Sequence, residues 1–257
     1  NWAQTWEFQA LLKARPIAGP DELSSAWHDA AQVALWSRTF GATELREIRN
    51  MKERSEALIS QRGLASREIK RGRGGIRDIE FSVQLLQLVH GRRDQSVRSP
   101  NTLSALNQLV DGGYIDADDV TILSSSYRFL RNVEHRLQLV EDQQTHTIPS
   151  DSGQRAHLAR AMGFKDQPST TALEAFDKTL STHQTVVRNA HERRYFRPLL
   201  EEFAHPHPHS QPEHEQTVEE RISAFGFTDA VRTRQAVLEL PRGLARSSRL
   251  MQQLMPL

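Results

Sequence analysis

A basic, glycine-rich stretch is the part of the sequence whose residue types are best suited to bind an anion. It contains the cationic residues Lys70, Arg71 and Arg73 and the glycines Gly72, Gly74 and Gly75. Glycine accepts backbone conformations that other residues resist, and it lets a ligand approach the chain closely. An apolar helix is predicted to follow at once, and the free N–H groups of a helix start attract negative charge. The stretch therefore predicts either a tight helix entry or a loop that faces a ligand or a partner.

The usual phosphate-binding motifs do not fit this stretch. A P-loop would need Gly-Lys-Ser/Thr, and no run of branched residues precedes the stretch as the strand of a Rossmann unit would. The helix that follows is apolar around most of its circumference, except for a stripe formed by Arg77, Glu80, Gln84 and Gln87. Charged groups on a buried helix need partners. Structural pairing and ligand binding therefore both stay open for Arg77, Asp78 and Glu80.

Other patterns that could carry chemistry are weaker. Asp116 and Asp118 look like a metal-binding pair, but their place before a predicted helix fits an N-cap and a first-turn acid better. The histidines of segment 204–216 alternate with prolines, which favours a solvated linker over a metal site. The chain has no cysteine, which excludes disulfides and thiol chemistry.

Composition limits the class of protein. The 257 residues are 37% hydrophobic and 25% charged, with a formal net charge of +1, which argues against a nucleic-acid binder. No apolar run is long enough for a membrane span, and no signal-peptide pattern is present. A cysteine-free chain suits the cytoplasm. Because the sequence begins at Asn1 and enters a predicted helix almost at once, we expect it to be part of a longer protein.

The hydrophobic periodicity predicts a mainly α protein, a multi-helix bundle with little or no sheet. Helices are predicted at about residues 5–15, 21–37, 43–60, 76–90, 102–110, 116–143, 152–162 and 171–195. Thr5 is the predicted N-cap of the first, and Leu23 and Trp27 are predicted to face inward on the second. The mixed charges of the third helix, Lys52 among them, are typical of a solvent-facing surface.

Several segments together resemble the bifunctional glutamine synthetase adenylyltransferase/adenylyl-removing enzymes of bacteria. These segments are residues 6–19, 70–92, 127–131, 134–138, 144–149 and 221–229. The resemblance covers nearly the whole chain, and the segments follow one another in the order that this family has them. The resemblance implies a parent enzyme with two nucleotidyltransferase halves, which attach AMP to a tyrosine of glutamine synthetase and remove it by phosphorolysis.

Residues 74–81 and 144–149 resemble the half that removes AMP, although the two halves share ancestry. The resemblance implies the end of a nucleotidyltransferase domain at 1–40, a helical companion domain at 41–203, a flexible linker at 204–216 and a helical spacer at 217–257. The carboxylates that bind magnesium in this family would precede Asn1. We therefore expect no catalytic residue and no metal ligand in this chain, and no activity of the chain alone.

The resemblance also assigns candidate binding residues. Glu7, Lys13 and Arg15 would line the floor of the catalytic cleft, and Lys70, Arg73, Gly74 and Gly75 would face phosphate, nucleotide or an acidic partner surface. Arg77, Asp78 and Glu80 are candidates for binding or for structural pairing in equal measure.

The expected cofactors and partners belong to the parent enzyme. They are Mg2+ and ATP or ADP, glutamine synthetase and the PII signalling protein, without nucleic acid or membrane, in the cytoplasm. One alternative is a docking module for glutamine synthetase or PII that does no chemistry. Another is the helical domain of a PII uridylyltransferase-like enzyme, against which Trp6-Glu7 and residues 144–149 argue.

Overall fold

The computed structural model describes residues 3–38, 40, 42–141, 144–204 and 231–232. In this part of the chain the helices are α1 (Thr5–Leu11), α2 (Asp21–Trp36), α3 (Ala42–Gln61), α4 (Ile76–His90), α5 (Thr102–Asp111), α6 (Ala117–Glu141), α7 (Ser152–Ala161) and α8 (Ala172–Ala204), with a 3-10 turn at Gln95–Val97. The described residues contain isolated antiparallel bridges but no strand. The prediction of a mainly α, multi-helix bundle is confirmed.

Helix α4 lies at the centre because both of its faces are buried. One face packs with α5, α6, α7 and α8 around a large core to which α4 contributes Ile76, Ile79 and Leu86. The other face adds Phe81 and Leu88 to a second core. This second core also contains Phe8, Leu12, Leu35, Trp36, Phe40 and Ile48, which come from α1, α2, α3 and the α2–α3 connection. The near-complete apolar circumference predicted for α4 follows from this double burial.

Short-range hydrogen bonds fix several helix starts. The side chain of Asn101 accepts from two N–H groups of α5, and that of Asp151 accepts from the N–H of Gln154 in α7. At α1 the prediction of Thr5 as N-cap is wrong, because the cap position is Gln4 and its N–H donates to Glu7 Oε2 at 2.7 Å. The Thr5 hydroxyl instead donates to Glu47 of α3.

Helix α2 is more exposed than the sequence predicts. Leu35 and Trp36 are buried at its end, but Leu23 is 67% and Trp27 41% exposed, so the prediction that these two face inward is wrong. The periodicity identified residues that share a face but could not identify what packs on that face. Val33 is exposed as well.

Helix α8 extends further than predicted. It continues to Ala204 instead of ending near Tyr195, so the helix passes through Pro198 into a stretch of good helix formers, Leu199, Leu200, Glu201 and Glu202. The histidine–proline steps begin only after this stretch. The remainder of the predicted linker at 204–216 and the predicted spacer at 217–257 lie outside the described residues, apart from 231–232. None of the helices in the described ranges is long and apolar enough to cross a membrane.

The glycine-rich stretch forms the entry to α4, and α8 passes directly over it. Gly74 has a φ of +72°, and a Cβ atom on this residue would lie 2.1 Å from the backbone carbonyl oxygen of Gln184. Gly113 has nearly the same backbone conformation, with a φ of +74°, but nothing lies within 4 Å of a Cβ placed there. A substitution at Gly113 therefore costs only the strain of a left-handed backbone, whereas a substitution at Gly74 adds a steric clash with α8.

We expect Gly74→Ala to lower the free energy of unfolding by at least about 3 kcal/mol, because α8 would have to move away from α4. The control Gly113→Ala should lose roughly 1 to 2 kcal/mol, the cost of a left-handed non-glycine residue. Urea unfolding of the two variants measures both values. Equal losses in the two variants would contradict the role of Gly74 in helix packing.

Candidate functional site

The glycine-rich turn, residues 70–75, lies between two acidic side chains that are almost fully buried. Asp78, in the first turn of α4, and Glu134, in the middle of α6, are each 1% exposed. A buried carboxylate is tolerated only with charged or hydrogen-bonded partners. Both have cationic partners, and the turn itself supplies the Lys70 ammonium to Glu134 and the Gly74 N–H to Asp78.

The first of these groups joins α3, the turn, α4 and α8, and we call it the Asp78 cluster (Lys52, Glu56, Arg73, Asp78 and Arg188). Lys52 Nζ lies 2.9 Å from Asp78 Oδ1, and Arg188 Nη1 lies 3.7 Å from Asp78 Oδ2. Glu56 pairs with Lys52, with Arg188 Nη1 at 3.1 Å and with Arg73 Nε at 3.3 Å. These contacts tie together helices that are distant in sequence.

A buried histidine completes the side of α8 that faces Asp78. His191 Nδ1 lies 2.8 Å from Ser82 Oγ and 3.0 Å from the Asp78 carbonyl oxygen. Burial lowers the pKa of His191 to about 4, although the charge of Asp78 acts in the opposite direction. Because Ser82 and His191 are both buried, no substrate can reach them, and their contact is structural.

The second group we call the Glu134 cluster (Glu68, Lys70, Arg131, Glu134 and His146). Lys70 Nζ lies 3.3 Å from Glu134 Oε1, His146 Nδ1 lies 2.8 Å from the same oxygen, and Arg131 pairs with Oε2. Glu68 accepts from the backbone N–H of Lys70 at 3.0 Å. Burial lowers the pKa of His146, and the charge of Lys70 acts in the same direction.

A third polar group lies where α1 meets α4, α5 and α6, and we call it the Lys13 cluster (Lys13, Glu80, Thr102 and Tyr127). The Lys13 ammonium donates to Thr102 Oγ1, and Tyr127 Oη donates to Glu80 Oε1 at 3.2 Å. Burial lowers the pKa of Lys13 and raises the pKa of Tyr127. The cluster therefore holds a cation and a carboxylate together in a partly dry environment.

The structure brings half of the ten predicted binding residues into these clusters. Arg73 and Asp78 belong to the first, Lys70 to the second, and Lys13 and Glu80 to the third. The binding roles of these five residues stay predictions.

The glycine amides are already used inside the turn. The Gly74 N–H donates to Asp78 Oδ2 at 2.8 Å, and the Gly75 N–H donates to the Gly72 carbonyl oxygen at 3.0 Å. Both glycines are buried. A phosphate role for these two amides stays a prediction, and their internal hydrogen bonds do not support it.

The remaining predicted residues lie apart. Glu7 accepts from the N–H of Gln4 at the start of α1. Arg15 is exposed and lines a cavity of about 400 Å³ beside Trp27. Arg77 is exposed, with its guanidinium carbon 5.5 Å from the centre of the Phe81 ring. These three residues therefore do not join a common site within the described part of the chain.

Sequence reasoning missed the buried partners on the other helices. Lys52 was predicted to face solvent but is buried, because its ammonium turns toward Asp78. Glu134, Arg188 and His191 were not singled out as candidates. The spacing of Lys52 and Glu56 was the available signal, since an i, i+4 pair of opposite charge can face another helix as well as water. Over the described ranges, no group of histidine, aspartate and glutamate side chains could hold a metal ion.

We expect Asp78→Asn to lower the free energy of unfolding by roughly 3 to 5 kcal/mol, because it leaves buried cations without their counter-charge. Glu53→Gln is the control, since Glu53 is an exposed carboxylate of the same helix as Lys52 and pairs with Arg49 at 2.6 Å. It should change the value by less than about 1 kcal/mol. Urea unfolding is the measurement, and similar losses would contradict the importance of the Asp78 cluster.

The lowered pKa of His191 predicts a loss of stability in mild acid. The folded-state pKa is about 4 and the ordinary value is 6.5, so the unfolded chain binds the proton first as the pH falls. This contribution to stability is complete above pH 6.5 and falls by about 3 kcal/mol on the way to pH 4.

Urea unfolding at several pH values between 6.5 and 4 measures the slope of the unfolding free energy against pH. His191→Gln should reduce this slope by the amount that corresponds to close to one bound proton. Ser82→Ala should keep it, because burial is the main cause of the shift. An unchanged slope in the His191 variant would show that other groups cause the acid sensitivity.

Comparison with known proteins places these clusters in a family. A family model described as GlnD PII-uridylyltransferase matches residues 45–194, which is more than half of the chain. The bifunctional glutamine synthetase adenylyltransferase/adenylyl-removing enzyme of Streptomyces coelicolor is 38% identical over 256 residues, covering 100% of this chain and 25% of that protein. The enzyme of the same name from Mycolicibacterium smegmatis is 43% identical over 207 residues, covering 80% of this chain and 21% of that protein.

The chain thus spans about a quarter of the length of the curated relatives that it matches. The match to the Streptomyces coelicolor enzyme extends beyond both ends of the region that the family model covers. The chain belongs to the family described as GlnD PII-uridylyltransferase, and its resemblance to the bifunctional glutamine synthetase adenylyltransferase/adenylyl-removing enzymes is confirmed over its whole length.

Proposed function

We propose that the chain is part of an enzyme that controls glutamine synthetase by reversible adenylylation of a tyrosine. Within that enzyme it belongs to the half that removes AMP by phosphorolysis and releases ADP. The observation that carries the proposal is the 38% identity to the Streptomyces coelicolor enzyme across the whole chain. The resemblance of residues 74–81 and 144–149 to the adenylyl-removing half supports the choice of half.

In this proposal the chain supports catalysis without supplying the metal site. The described residues offer no set of carboxylates for Mg2+, so we assign its ligands to another part of the parent enzyme. ATP or ADP and the PII signalling protein likewise belong to the parent, which we place in the cytoplasm. Helices α1 and α2 would complete the nucleotidyltransferase domain, and the exposed Leu23, Trp27 and Val33 of α2 support packing against the rest of that domain.

The match to the family model described as GlnD PII-uridylyltransferase favours one alternative, the helical domain of a PII uridylyltransferase-like enzyme. We prefer the first proposal because the glutamine synthetase enzymes also match residues before 45 and after 194. A docking module that does no chemistry is the other alternative. Capture of glutamine synthetase or PII by the isolated chain, tested with both purified proteins, separates docking from a purely scaffolding role.

The deciding experiment follows ADP release from adenylylated glutamine synthetase in the presence of Mg2+ and phosphate. It compares the chain itself with a version extended upstream to include a nucleotidyltransferase domain. We expect activity in the extended protein alone. Activity of the chain itself would place metal ligands within it, and transfer of UMP to PII by the extended protein would favour the uridylyltransferase alternative.

We expect Arg73→Ala to lower kcat/KM for ADP release by the extended protein about tenfold, as the loss of one charge-assisted hydrogen bond would. The Arg73 side chain is 72% exposed and, among the described residues, pairs with Glu56, so the unfolding free energy should change by less than about 1 kcal/mol. Arg93→Ala, at another exposed arginine, is the control. Unchanged activity together with unchanged affinity for glutamine synthetase would contradict a binding role for Arg73.

A further inference from the structure

We propose that Lys13, just beyond the end of α1, and Arg131 of α6 form a subsite for a phosphoryl group beside Thr102 of α5. This inference rests on the proposed function and deepens it, because it names the residues that would hold inorganic phosphate or the phosphates of the nucleotide. Its support is the charge balance of the Lys13 and Glu134 clusters. Neither residue is fully buried, so a ligand can reach both.

Lys13 is a partly desolvated cation without a counter-ion at contact distance. Its only hydrogen bond goes to the neutral hydroxyl of Thr102, and in the described part of the chain no carboxylate lies within 4.0 Å of its ammonium. Glu80 is close enough to act on Lys13 through its charge but not to pair with it. A cation held in this way costs stability, and such a cost is typical of residues kept for a ligand.

Arg131 brings a second cation to the same place. It lies one helical turn after Tyr127 on α6, so the two side chains share a face. Its guanidinium is near enough to act on Lys13 by charge repulsion. Arg131 pairs with Glu134, but Lys70 pairs with that carboxylate as well. One buried carboxylate is therefore shared by two permanent cations.

The nearby carboxylate of Glu80 does not cancel this positive charge. Tyr127 Oη donates to Glu80 Oε1 at 3.2 Å, and the same hydroxyl interacts with Thr102. Glu68 of the Glu134 cluster pairs with a further cation, Arg71, at 3.4 Å. The two clusters together with Arg71 therefore hold four cations and three carboxylates, which leaves one positive charge in excess. The cations are Lys13, Lys70, Arg71 and Arg131, and the carboxylates are Glu68, Glu80 and Glu134. A phosphoryl group carries enough oxygens to contact the ammonium of Lys13 and the guanidinium of Arg131 together.

Binding can be tested directly on this chain. Calorimetric titration with inorganic phosphate at constant ionic strength should give a saturable site. Lys13→Met and Arg131→Gln should each raise the dissociation constant about tenfold or more, as expected for a lost charge-assisted hydrogen bond. Arg136→Gln is the matched control, because Arg136 is an exposed arginine of the same helix. Equal affinity in all four proteins would overturn the subsite.

The source of the phosphoryl group is distinguished by competition. ADP should displace phosphate from the wild-type chain if the nucleotide phosphates use the same residues, and adenosine should not displace it. Phosphate binding without displacement by ADP assigns the subsite to free phosphate, which also supports the proposal. Displacement by adenosine as well as ADP would overturn it, because a ligand without phosphate would then be sufficient.

A stability measurement separates binding from a structural role. Without phosphate, Lys13→Met should leave the melting temperature unchanged or raise it, because the cost of the desolvated cation is removed. A lower melting temperature together with unchanged phosphate affinity would identify Lys13 as a structural link and overturn the proposal.

Two results distinguish an error in this inference from an error in the proposed function. If the extended protein releases ADP and its KM for phosphate is the same in the Lys13 and Arg131 variants, the subsite is wrong and the function stands. If the wild-type chain binds phosphate through these residues but the extended protein releases no ADP, the subsite stands and the function is wrong.

Discussion

The close approach of α8 to the entry of α4 is the constraint on which the rest of the structure depends. The backbone of Gln184 occupies the space that any side chain at Gly74 would need. This contact brings Arg188 and His191 to the level of Asp78, and Asp78 in turn accepts the N–H of Gly74. The turn is therefore fixed by sterics on one side and by charge on the other.

Charge is distributed unevenly around this turn. In the Asp78 cluster, anions and cations alternate, and each buried carboxylate has several partners. Toward α6 and α1 the balance changes, because Glu134 is shared by two cations and no carboxylate among the described residues contacts Lys13. The first arrangement fits a structural connection between helices. The second leaves positive charge available on the side where α1 meets the bundle.

Much of this fold could be predicted from local sequence, but the site could not. Apolar periodicity identified the helices and the full burial of α4, because both follow from residues near in sequence. The partners of Asp78 come from α3 and α8, and no local pattern shows which distant helices meet. The sequence identified the glycine motif but could not show what the glycines do, because close helix packing and ligand contact both favour glycine. The prediction that Leu23 and Trp27 face inward was wrong for a related reason, because periodicity does not reveal what packs against a helix face.

The double burial of α4 has a consequence for the limits of the folding unit. The family match begins at residue 45, yet Phe8, Leu12, Leu35, Trp36 and Phe40 all precede it. Removal of the preceding segment would uncover Phe81 and Leu88 on the helix that also anchors the larger core. The region that the family model matches is thus smaller than the region that these two cores hold together.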